Sequence, residues 1–109
     1  MSSIRKIGFI GGGNMGEALI AGLLSHKVFK PFDIAVCEPD ASRLKKLKSR
    51  YKIAASPSNA DLVRSSDAVL LAVKPQHMTG VLEEIRNELE AGRLVLSIAA
   101  GLDIAYFRS

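Results

Sequence analysis

Short apolar runs alternate along this chain with longer stretches in which apolar residues recur every three or four positions. Ile7 to Ile10 and Ile34 to Cys37 contain no polar residue, Ala68 to Val73 is the clearest such run, and Leu94 to Ile98, interrupted only by Ser97, is the last. Runs of this kind fit strands buried on both faces of a parallel sheet. Between them, Met15 to Leu24 places Ala18, Leu19, Ala21, Gly22 and Leu23 in a helical pattern that stops before Ser25-His26-Lys27, where cationic groups suit a helix C-terminus. Asp40 is placed to cap a helix from Ala41 to Tyr51 with Leu44 and Leu47 on its buried side. Ile53 to Ala55 predicts a brief third strand, and Ser58-Asn-Ala-Asp61 has capping-box spacing for a short helix reaching Arg64. Pro75 disfavours helical geometry at Lys74 and itself suits the first turn of a helix carrying Val81, Leu82, Ile85 and Leu89, which Gly92 would end. Residues Leu102 to Phe107 predict a final helical fragment. Five strands alternating with helices argue for a parallel α/β sheet with right-handed crossovers.

The junction of the first strand and first helix carries Gly11, Gly13 and Gly16 in the spacing G-x-G-x-x-G. Gly11 lets the chain turn sharply, Gly13 lets a pyrophosphate approach the backbone, and Gly16 lets the helix lie close to the strand. The free N–H groups and the dipole of the helix start would then face the anion. The alternation and this turn together predict a Rossmann-type doubly wound parallel sheet, with residues 1–109 forming one dinucleotide-binding domain.

Composition narrows this reading without changing it. A chain of 109 residues, 48% hydrophobic and 24% charged, builds one core. The charge of +4 comes with only four phenylalanines and two tyrosines, and the basic residues gather in one stretch rather than interleaving with aromatics, so nucleic acid is not expected as a partner. Cys37 is the only cysteine, which excludes intramolecular disulfides and cysteine-based metal sites and suits a reducing, cytoplasmic setting. The run after Arg5-Lys6 is cut short by three glycines, unlike a signal peptide, and no stretch has membrane-spanning length.

In such a sheet the ligand crevice lies beyond the carboxyl ends of the strands, between the first and the fourth. Three loops should meet there: residues 11–16, 74–77 and 97–101. Ala99, Ala100 and Gly101 are small enough to leave room for a flat ring such as nicotinamide. Glu38, about twenty residues beyond the glycine turn, is placed to accept hydrogen bonds from the adenosine ribose of NAD and to repel the 2′-phosphate of NADP. Against it stands the basic run of Arg43, Lys45, Lys46, Lys48, Arg50 and Lys52; Arg43 could reach a 2′-phosphate, while the others read as a solvated helix face. Cofactor choice between NAD(H) and NADP(H) stays open. His77 reads as a solvated residue beside the crevice, Lys74 as either a cofactor contact or an exposed strand end, and Cys37 as a buried thiol without an activating cation. No His, Asp or Tyr is placed as a proton donor, so no catalytic residue is named.

Gly8-Phe-Ile-Gly-Gly-Gly-Asn-Met-Gly16, Ala72-Val-Lys-Pro-Gln76 and Ser97-Ile-Ala-Ala-Gly101 closely resemble, in order and spacing, the N-terminal half of the Δ1-pyrroline-5-carboxylate reductases. The likeness covers essentially the whole chain, and the second and third motifs are more specific than the glycine turn. It implies reduction of the ring imine of 1-pyrroline-5-carboxylate to proline by hydride transfer from NAD(P)H. It also implies that Asn14 and Met15 contact the cofactor, that Val73, Lys74 and Pro75 line the nicotinamide pocket, and that residues 99–101 border the reacting ring. Members of that family continue into an all-helical C-terminal domain that supplies the dimer interface and most of the substrate pocket. This chain stops at Ser109, inside the helix expected after the fifth strand, so the expectation is a cofactor-binding domain that turns over poorly alone. A non-catalytic nucleotide-sensing module and a related β-hydroxyacid dehydrogenase are the alternatives; the Val73-Lys74-Pro75-Gln76 loop speaks against the second.

Overall fold

Every residue of the strand Ile7–Ile10 (β1) is buried, because successive side chains point to opposite faces of a sheet that is covered on both sides. A computed structural model describes residues 4–88, 93–97 and 103–107. After β1 come the helix Asn14–Ser25 (α1), the strand Ile34–Cys37 (β2), the helix Ala41–Tyr51 (α2) and the two-residue strand Ala54–Ala55 (β3). The helix Asn59–Arg64 (α3), the strand Ala68–Leu71 (β4), the helix Pro75–Ile85 (α4) and the strands Arg93–Ser97 (β5) and Asp103–Phe107 (β6) complete the order.

The strands lie in the order β3-β2-β1-β4-β5-β6. β3, β2, β1, β4 and β5 run parallel. The direction in which the chain adds strands reverses between β1 and β4, in register from Ile7 beside Ala68 to Ile10 beside Leu71. That reversal opens a crevice at the carboxyl ends of these two strands.

Two cores follow from the alternation. Ile7 and Phe9 of β1 and Ala68 and Leu70 of β4 pack with Ile20 of α1 and Leu47 of α2 on one face. Ile10, Val69 and Leu71 pack with Leu62 and Val63 of α3, Val81 and Ile85 of α4 and Val95 of β5 on the other. Each such aliphatic or aromatic side chain, once fully buried, contributes about 1.5–3 kcal/mol. Gly8 points to the second face, where an added Cβ would stand 2.5 Å from Leu62 Cδ2 and 2.5 Å from Ser66 Oγ. Its missing side chain is what lets α3 lie directly on β1.

The expected caps are formed. Asp40 accepts from the backbone N–H groups of Ser42 and Arg43 at 3.0 and 3.2 Å, and the Ser58 hydroxyl accepts from Asp61 N–H at 3.1 Å. Pro75 is the first residue of α4, with Lys74 extended before it. One element departs from expectation: Asp103–Phe107 is not helical but a strand, antiparallel to β5, pairing Ser97 with Asp103 and Arg93 with Phe107. A short segment with four consecutive apolar or aromatic residues after Asp103 fits either period, and here the open edge of β5 supplies backbone partners that a short isolated helix would lack. Gly92 and residues 98–102, to which the expected helix stop and tight exit were ascribed, lie outside the described residues.

Candidate dinucleotide site

The turn after β1 is built around glycine for reasons of geometry. Gly11 has φ +93° and its N–H donates to the Cys37 carbonyl at 2.9 Å; a Cβ there would meet the Ala72 carbonyl oxygen at 2.7 Å. A Cβ on Gly16 would stand 2.9 Å from the Gly11 carbonyl oxygen, so α1 rests against the turn only because that atom is missing. Gly13 is different: it precedes α1 in extended geometry, and an added Cβ would meet nothing within 4 Å. No side chain caps this helix start, although helix starts ordinarily leave four N–H groups in need of partners. An uncapped twelve-residue helix behind an open glycine is a cradle for an anion, and a pyrophosphate bridge fits it.

Glu38 leaves the end of β2 and is fixed by two backbone donors, Gly12 N–H to Oε1 at 2.6 Å and Asp40 N–H to Oε2 at 2.9 Å. An ionised carboxylate offers about four lone-pair sites, so two stay open for a pair of hydroxyls. Arg43 takes hold of the other side of the same residue: its Nε donates to the Gly12 carbonyl at 2.5 Å, and one terminal nitrogen donates to Asn14 Oδ1 at 3.4 Å and to Glu17 Oε1 at 2.9 Å. The two residues between which cofactor choice was left open therefore both bind Gly12, through the two peptide groups that flank its Cα.

A cleft of 780 Å³ opens beside the turn, walled by Gly11, Glu38, Val73, Gln76 and His77 among others. This is within the range of small-molecule and cofactor sites. The structure thus brings Gly11 of the first expected loop together with Gln76 and His77 of the second, while residues 12–16 do not line the cleft. Val73 lines the cleft, whereas Lys74 and Pro75 do not; Lys74 is exposed and contributes its carbonyl to the His77 N–H at 2.9 Å. Met15 stands 61% exposed at the start of α1. Ala99, Ala100 and Gly101 lie outside the described residues. Cys37 also lines the cleft; burial, then Glu84 and Glu38, push its thiol above the ordinary 9.0, so it stays a neutral thiol and not a nucleophile.

Two features escape the sequence reading. The loop 56–58 also lines the cleft, which only the pairing of β3 with β2 reveals. Glu17 of α1 also gathers Arg43, Arg50 at 3.1 Å and the Tyr51 hydroxyl at 2.7 Å. The one signal for this cluster is that Glu17 is the only acid of α1 while α2 carries only cations.

A parallel sheet that reverses at β1/β4, with a glycine turn into a helix and a carboxylate closing the second strand, defines a Rossmann-type fold of the dinucleotide-binding class. Residues 6–101 match the family described as NADP oxidoreductase coenzyme F420-dependent, and the chain belongs to that family. It is 41% identical over 103 residues to the pyrroline-5-carboxylate reductase of Methanosarcina acetivorans, covering 94% of this chain and 38% of that protein. Among solved structures it resembles the pyrroline-5-carboxylate reductase of Coxiella burnetii, with TM-score 0.81, 32% identity, and 87% of this chain and 35% of that one covered. It is also similar to the Plasmodium falciparum pyrroline carboxylate reductase solved with NADP bound, with TM-score 0.74, 32% identity, and 90% and 34% covered. The chain therefore spans between a third and two fifths of the length of these relatives.

Proposed function

We propose that these residues are the cofactor-binding portion of a Δ1-pyrroline-5-carboxylate reductase, holding NAD(H) or NADP(H) for reduction of a cyclic imine to proline. The observation that carries the cofactor half is the open Gly13 before an uncapped helix, beside a carboxylate with two free acceptor sites. The substrate half rests on likeness to reductases of that name at 41% and 32% identity.

The bound cofactor supplies the hydride. The chain's part is positional. The backbone of residues 13–16 holds the bridging phosphates, Glu38 accepts from the ribose, and Val73 walls the cleft. Lys74 and Pro75 shape the entry to α4, and residues 99–101 would border the ring. In this reading the substrate is a small molecule carrying a carboxylate, the setting is the cytoplasm, in keeping with the free Cys37 thiol, and the whole enzyme is a homo-oligomer.

The test joins these 109 residues to the remaining part of a pyrroline-5-carboxylate reductase and assays that chimera with 1-pyrroline-5-carboxylate and with a β-hydroxyacid. Proline formation, with little or none from the 109 residues alone, supports the proposal. Oxidation of the hydroxyacid in its place would transfer the chain to the dehydrogenase reading. Nucleotide binding without either reaction would favour the sensing module.

A further inference from the structure

The ion cluster on Glu17 lies outside the cleft, and nothing in the binding scheme above uses it. Arg43 is 27% exposed and Glu17 21%, so neither is a freely solvated surface charge. The Glu17 carboxylate is held at both oxygens: Oε1 receives Arg43, and Oε2 receives Arg50 and the Tyr51 hydroxyl. Its position is thus set from the last turn of α2, one end of the helix whose other end carries Arg43. Arg43 in turn has Nε on the Gly12 carbonyl and one terminal nitrogen on Asn14 and Glu17. Its charge is compensated and its plane is fixed against the glycine turn.

Glu38 and Arg43 meet the same residue, one at Gly12 N–H and one at Gly12 C=O. A ribose read by Glu38 consequently lies next to Arg43. Whether a 2′-phosphate is rejected or welcomed there depends on whether the guanidinium is free to turn toward it and on whether its charge is already matched. Glu17 decides both. We infer that Glu17 is a specificity-determining positioning residue: by holding Arg43 on the glycine turn it leaves the ribose to Glu38, and so favours NADH over NADPH. The inference rests on the dinucleotide-binding reading of the site. Glu17 itself touches no ligand.

The experiment titrates the purified 109-residue chain with NADH and NADPH by nicotinamide fluorescence, for wild type, Glu17→Gln and Glu17→Gln with Arg43→Gln. Wild type should bind NADH more tightly. Glu17→Gln should tighten NADPH at least fivefold with NADH changed less than twofold, and the added Arg43→Gln should remove that gain. A structural role alone would move both affinities together, and that outcome overturns the inference, as does a wild-type preference for NADPH or a gain that survives without Arg43. If Glu17→Gln does not fold, Tyr51→Phe decides. It keeps every charge and the ring and removes only the 2.7 Å hydrogen bond that steadies Glu17; a twofold or larger shift toward NADPH supports the inference and an unchanged ratio overturns it. Absence of saturable binding of either nucleotide to folded wild type would instead sink the dinucleotide reading, and this inference with it.

Discussion

Gly13→Val separates the binding role of the glycine turn from its structural one. Gly13 has φ −72° and ψ −168°, a conformation open to any residue, and an added Cβ meets no atom within 4 Å. The fold therefore loses only the preference for glycine over an aliphatic residue at a helix N-cap, about 0.5–1 kcal/mol. Reduced freedom of the unfolded chain returns about 0.4–1 kcal/mol. The balance lies within about 1 kcal/mol, a shift of no more than about 8 °C in melting temperature for a domain of this size. Binding is affected quite differently, because the branched side chain fills the space through which phosphates reach the backbone. Hydrogen bonds to a charged group are worth about 1.5–3 kcal/mol each. Losing two costs about 3–6 kcal/mol, which is more than a hundredfold in affinity. Fluorescence titration with NADH, paired with a thermal melt, measures both. Gly11→Ala is the counterpart: at φ +93°, with Ala72 O 2.7 Å from the new Cβ, it should lower the melting temperature well beyond the valine variant. Affinity within threefold of wild type for a folded Gly13→Val would remove the open glycine from the account.

Four further outcomes are expected. Glu38→Ala should weaken NADH several-fold more than NADPH, since it removes the acceptor for ribose hydroxyls and a charge that repels a 2′-phosphate; equal losses would mean that Glu38 does not meet the ribose. The Tyr51 hydroxyl first, then Arg43 and Arg50, hold Glu17 below its ordinary 4.5 against the opposing effect of burial. Its contribution to stability is therefore complete above 4.5 and lost as pH falls through the lower folded value; melts from pH 6 to about pH 2.5 should show an acid limb that Glu17→Gln flattens, and identical limbs would contradict this. Lys52 ends α2 in left-handed geometry at φ 61°, so Lys52→Gly should stabilise by about 0.5–1 kcal/mol, and a lower denaturation midpoint would count against that strain. Gly8→Ala should destabilise by about 1–3 kcal/mol through overpacking against Leu62 and Ser66; an unchanged urea midpoint would show that α3 does not rest on β1 as described.

What could be read from the chain and what could not divides along physical lines. The bounds of α2 and its Asp40 cap were legible because the capping residue, the apolar spacing of Leu44 and Leu47 and the cationic last turn all lie within a dozen residues. The Ser58 cap and Pro75 at the start of α4 were legible for the same reason. Strand order at β1/β4 followed from the general rule for wound sheets. Asp103–Phe107 was misread because five residues cannot distinguish the helical from the extended period, and the partner strand decides. Glu38 and Arg43 were both singled out, yet that they grip one residue, Gly12, was not legible, nor was the hold of Glu17 on Arg43. Those contacts join residues 26 to 34 positions apart and depend on how α1 and α2 lie side by side. The role of Gly8 was hidden likewise, since nothing in β1 itself announces that α3 will pack on it.

The central claim is that a dinucleotide binds across the glycine turn at the carboxyl ends of β1 and β4. Titration of the 15N-labelled chain with NADH, followed residue by residue in amide spectra, tests it most directly. The account predicts saturable changes that are largest at the amides of residues 11–16, at Glu38 and at Val73. Saturable changes centred on the amino ends of the strands, at Lys6, Asp33 and Ser66, or no change in a folded chain, would contradict it.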